Sequence, residues 1–144
     1  MTDDLELADA EARFARLRDR EPELSQAWQS VVHSRAALVD HQNLLAIAND
    51  AFAEAEHAWT LVKSRQLQPS DNAHTASVTW HRAHAALRAA SAVLMTARAG
   101  VEKAELAEKL ADAEFIRVRE STPSVRRAWH ELMVVRKTRL GREN

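Results

Sequence analysis

The chain of 144 residues has no cysteine, no tyrosine, two glycines and three prolines. Without cysteine there is no disulfide, no thiolate nucleophile and no cysteine-ligated metal, which leads to the expectation of a reducing, cytoplasmic setting. A net charge of −1, from 20 Lys+Arg against 21 Asp+Glu, gives no overall field that would draw the protein to nucleic acid or to an anionic membrane. No apolar run approaches the ~18 residues of a membrane span. The acidic opening Met1-Thr2-Asp3-Asp4-Leu5-Glu6 is not a signal peptide. Phosphate-binding glycine loops and G-x-S-x-G elbows are missing, so a non-catalytic role without a cofactor is expected.

What remains is a helical composition, 46 % hydrophobic and 28 % charged, rich in alanine, arginine, leucine and glutamate. Trp80, Leu87, Leu94 and Val101 recur every seven residues, and Ala76, Ala83, Ala90, Ala97, Ala104, Ala111 and Val118 form a second seven-residue series. That is a coiled-coil seam with large residues at a and alanine at d. Earlier in the chain, Leu24, Val31, Leu38, Leu45, Phe52 and Trp59 repeat in the same way, with Ala27, Ser34, His41, Ala48, Ala55 and Val62 three residues behind. The three prolines, Pro22, Pro69 and Pro123, suit first turns of new helices, where a missing N–H costs nothing. They divide the chain into helices over about 3–20, 22–67, 70–120 and 123–140. Thr122 is a candidate cap for the last, and Ser70 and Asp71 for the third. In helix one, Leu5, Ala8, Ala12 and Ala15 form one stripe, with Leu7, Phe14 and Leu17 beside it.

The two long series mirror each other about Pro69. Folding there sets Trp59 level with Trp80, Leu45 with Leu94, Leu38 with Val101 and Leu24 with Phe115; a register slipped by three or four residues is the alternative, since Val31 would otherwise face Glu108 and force the seam to loosen or shift. A second symmetry relates Arg16-Leu-Arg-Asp-Arg-Glu-Pro22-Glu-Leu-Ser-Gln-Ala-Trp28 to Arg117-Val-Arg-Glu-Ser-Thr-Pro123-Ser-Val-Arg-Arg-Ala-Trp129. The expected architecture is all-α and a single helical domain over 1–144. It is a long antiparallel helical hairpin with an alanine-rich seam, whose short N- and C-terminal helices complete a pseudo-twofold four-helix bundle.

The function expected from this pattern is protein–protein interaction, assembly or adaptor work through helix faces. The distal hairpin carries second-face apolar residues Leu44, Ile47, Leu61, Val93 and Met95, which call for cover by another protein, most simply a second copy in a homodimer. Nucleic acid is the alternative partner class, through an arginine-rich end bearing Arg117, Arg119, Arg126, Arg127, Arg136 and Arg139. A metal- or small-molecule-binding bundle is the third. Glu54-x-x-His57 occurs once, and of the residues Glu56, His57, His81 and His84 only Glu56 and His84 fall on flanking positions that could meet, so no metal site is expected within one chain. Trp59 and Trp80 sit in the core series, Trp28 and Trp129 one turn past the prolines as corner pins, and Gly100 lies beside the seam where helices approach closely.

Overall fold

The computed structural model describes residues 2–65 and 73–143. Four helices follow one another: α1 (Thr2–Arg20), α2 (Pro22–Ser64), α3 (Ala73–Ser121) and α4 (Pro123–Glu143). The turn expected at Pro69, with Ser70 and Asp71, lies outside the described residues. At Glu21 and Thr122 the chain bends over a single residue. The carbonyl of Glu21 accepts from the Ser25 amide (2.8 Å) and that of Thr122 from the Arg126 amide (2.9 Å), so each bend residue opens the next helix through its backbone. The Thr122 hydroxyl, expected to cap α4, instead donates back to the Val118 carbonyl (3.5 Å).

The residues group into two compact units, one of 1–35 with 107–144 and one of 36–106. Helices α2 and α3 contribute to both and pair antiparallel in each. The heptads decide what is covered. From Leu24 to Val62 every a and d residue of α2 is buried or half-buried, whereas the positions between them are exposed apart from Ser25 and Trp28 at the start. The register differs from the level-by-level pairing. In the first unit Trp28 meets Phe115 and Arg35 meets Glu108; in the second His41 meets Gly100 and Trp59 meets His84. The helices have slipped by about three to four residues, which brings each large a residue opposite a small d residue. Val31 comes level with Ala111 rather than Glu108 and is fully buried, while Glu108 turns to Arg35. Trp59 and Trp80 still touch, ring centroids 5.0 Å apart, because indoles are long enough to span the slip.

The first unit is the four-helix bundle. Its core gathers Ala10, Phe14, Leu24, Ala27, Val31, Phe115, Val118, Val125, Ala128 and Leu132, with Leu7, Leu17, Trp28, Trp129, Met133 and Val135 packed against them. On α1 the buried face is Leu7, Ala10, Phe14 and Leu17. The Leu5, Ala8, Ala12, Ala15 stripe is not: Leu5, Ala8 and Ala12 are exposed. A phenylalanine and two leucines remove more apolar area from water than one leucine and three alanines, and that difference orients the helix.

The internal duplication is visible side chain by side chain at a constant offset of 101 positions. Phe14 packs on Trp129 (5.1 Å, 56°) and its counterpart Phe115 on Trp28 (5.3 Å, 54°). Leu24 and its counterpart Val125 are both 0 % exposed. The second unit is a two-helix hairpin. Among the described residues its buried members are Ala48, Leu94, Val101 and Ala104, and no further helix covers it.

Candidate functional site

Two kinds of surface could carry function: the outer faces of the second unit and the arginine-lined grooves of the first. In the second unit the two outer faces differ. Leu44, Ala51 and Ala58 occupy g positions of α2, and Ile47 and Leu61 occupy c positions, a second seam that the exposed Glu54 interrupts at the c position between Ala51 and Ala58. On α3, Ala86 and Val93 hold g positions and Ala89 a c position. In an antiparallel pair the g flanks of both helices lie on one side, so these residues make one largely apolar face, shared with Glu54 and Arg82, and all of them are exposed. The opposite flank carries Gln42, Asn49, Glu56, Lys63, Arg88, Arg98 and Glu105 together with the small or single apolar residues Val39, Ala46 and Ala53, and is the more polar of the two. Met95 was grouped with Val93, but two residues turn a helix through about 200°, and Met95 therefore joins the polar flank. Leu44, Ile47, Leu61 and Val93 share a face; Met95, although 68 % exposed, does not belong to it.

The histidines lie elsewhere. His84 stacks on Trp80 (5.2 Å, 16°) and tilts against Trp59 (5.0 Å), while His81 meets the edge of Trp80 (5.0 Å) and Lys63 sits 5.6 Å over Trp59. These rings serve as packing for the two core tryptophans. His57 and Glu56 are exposed, and among the described residues no three His, Asp or Glu side chains gather to hold a metal.

In the first unit the two repeats enclose a cleft of about 620 Å³. Each repeat gives it the same set: Glu11 or Asp112, Phe14 or Phe115, Arg18 or Arg119, Trp28 or Trp129, Arg35 or Arg136. Arg136 pairs with Glu11 (3.3 Å) and Arg35 with Asp112 (3.5 Å), which are the same contact made twice. Arg18 lies 4.8 Å over Trp28 and holds Asp19 (3.4 Å); Arg119 lies 4.2 Å over Trp129 and holds Glu120 (3.2 Å). Every guanidinium of the cleft already faces a carboxylate, so the cleft is a charge-balanced packing device used twice. Sequence reasoning missed Arg35, Glu11 and Asp112. Their signal was present: the repeat extends beyond 16–28 at the same offset, from Ala10/Ala111 to Arg35/Arg136.

The six arginines expected to form one basic end are distributed over different surroundings. Arg117 is bidentate to Glu114 (2.6 and 3.0 Å), Arg119 and Arg136 line the cleft, and Arg139 reaches Asp4 (3.0 Å). Arg117 holds the Glu114 carboxyl below the usual carboxylate range, first through these hydrogen bonds and then through its charge. Arg126 is exposed, and Arg127 lines a groove between α1 and α4 together with Arg13, Arg16 and Arg20. Among the described residues no helix is long and apolar enough to cross a membrane. No protein-family model matches this chain, and neither a curated protein nor a solved structure does.

Proposed function

We propose that this is a non-catalytic assembly or adaptor protein of the cytoplasm that self-associates through the apolar face of its second unit. The observation that supports this is a contrast within one pair of helices. In the first unit α2 and α3 are covered by α1 and α4, and large side chains such as Leu24 and Val31 are fully buried. In the second unit the same helices continue with a second apolar seam, Leu44, Ile47, Ala51, Ala58 and Leu61, broken once by Glu54, and among the described residues nothing covers it. A second copy supplies what α1 and α4 supply in the first unit: two antiparallel helices with apolar flanks of matching spacing, which would close a four-helix arrangement. Ile47, 65 % exposed, belongs to the seam. Fully burying such a side chain is worth about 1.5–3 kcal/mol, enough for a few of them to hold a dimer.

The mass in solution, by light scattering after gel filtration, tests this. A dimer is expected for the native chain, and Ile47→Asp should convert it to a monomer with unchanged helix content. Met95→Asp, on the polar flank, should remain dimeric. A native chain that stays monomeric at high concentration, or an Ile47→Asp variant that stays dimeric, would refute the assignment.

A further inference from the structure

The groove between α1 and α4 and the groove between α2 and α3 are one place on two copies of the same motif, and their charges have diverged. The first, of about 390 Å³, receives Arg13, Arg16 and Arg20 from α1 and Arg127 from α4. The α1 residues are spaced i, i+3 and i+7 and share a helix face. Glu131 is the one carboxylate among the described residues lining this groove, and it lies 3.8 Å from Arg13. The twin groove, of about 340 Å³, has Glu114 where the first has Arg13, Gln26 where it has Arg127, and Glu23 where it has Ser124. Its single guanidinium, Arg117, is neutralised by Glu114.

Three guanidiniums of the first groove, Arg16, Arg20 and Arg127, have no carboxylate partner among the described residues. Like charges held together repel, and packing does not require them, since the twin joins its helices without such a cluster. Ser124 adds the first turn of a 21-residue helix, whose dipole favours an anion.

We propose that the α1–α4 groove is a binding site for an oligophosphate, a compact ligand carrying two or more adjacent phosphates. Arg13 to Arg20 spans about 10 Å along α1, the reach of two or three linked phosphates. Guanidinium forks bind phosphate oxygens in pairs, which selects phosphate over a simple halide. The volume lies within the range of small-ligand sites. No aromatic ring lines the groove among the described residues, so recognition rests on phosphates rather than on a base. The site lies in the first unit and does not depend on self-association through the second.

Calorimetric titration of the full chain with inorganic tripolyphosphate tests the proposal, with circular dichroism to verify folding of each exposed-residue variant. Saturable one-to-one binding is expected. Arg16→Ala and Arg127→Ala should each weaken it by about tenfold or more, as expected for a lost charged hydrogen bond. Arg117→Ala, in the twin groove, should leave the dissociation constant within about twofold, as for a change remote from the ligand. Absence of binding at millimolar tripolyphosphate, or an equal loss in Arg117→Ala, overturns the proposal. So does orthophosphate binding as tightly as tripolyphosphate, which would mean a single-anion site. Tighter binding per phosphate to a short single-stranded oligonucleotide would replace the compact ligand by a nucleic-acid backbone.

Discussion

Gly100→Ala is expected to change sign with its neighbour. Alanine is favoured over glycine in a helix interior by about 0.8–1.0 kcal/mol, so the substitution should stabilise α3 by that amount in open space. The space is not open. A Cβ at Gly100 would stand 2.9 Å from Nδ1 and 3.3 Å from Cε1 of His41. Ordinary contact begins at 3.4 Å, so the half-buried imidazole must retreat by about 0.5 Å or turn out of the seam. Overpacking of this kind costs about 1–3 kcal/mol. Gly100→Ala alone should therefore range from neutral to about 2 kcal/mol destabilising, whereas in a His41→Ala background it should stabilise by about 1 kcal/mol. The coupling, about 1–3 kcal/mol, is read from urea unfolding of the four proteins followed by far-ultraviolet circular dichroism, at one protein concentration so that association is held constant. Effects that add to within about 0.5 kcal/mol would show that the imidazole does not occupy this space and that the glycine has another cause.

Leu24→Ala, at a fully buried position, should cost about 2–5 kcal/mol, whereas Leu44→Ala, measured at a dilution where the chain is monomeric, should cost less than about 0.5 kcal/mol. Urea midpoints distinguish the two, and equal losses would contradict the assignment of faces. Arg119→Ala removes a guanidinium lying 4.2 Å over Trp129 and should lower stability by about 0.5–2 kcal/mol. The twin change Arg18→Ala, at 4.8 Å and with a more exposed side chain, should cost less; the reverse order would argue against the stacking as the cause. Arg117→Ala should raise the Glu114 titration toward the ordinary carboxylate value, because the group that lowers it is gone; carbon-detected magnetic resonance across pH 2.5–6 would show it, and an unmoved midpoint would remove Arg117 as the cause.

The heptads made the seam legible because a buried stripe on a helix needs only local spacing. Trp28 and Trp129 were legible as corner pins for the same reason, through their distance from Pro22 and Pro123. The register was legible only as two alternatives, level by level or slipped by three or four residues. Two antiparallel alanine-containing seams can meet large on large or large on small, and the slip between them is only three or four residues. The Glu108 that would have faced Val31 was the one clue, and the structure resolves it through Arg35. The fate of the arginines was also hidden, since Arg35–Asp112 and Arg136–Glu11 join residues far apart in sequence and depend on that register. Met95 differs for a simpler cause: its apolar character does not show on which flank it lies, and its b position in the heptad does.

The bundle of the first unit is built from residues 1–35 and 107–144, which has a consequence for the order of events at the ribosome. When Arg35 has been made, the phenylalanine and tryptophan partners of Phe14 and Trp28 do not yet exist, and α1 exposes an apolar face for the time needed to add roughly a hundred more residues, on the order of 5–20 s at ordinary synthesis rates. The second unit, lying wholly between these segments, is complete before the first can close. Nascent chains stalled before Val118 should therefore be the form of this protein that chaperones and proteases meet.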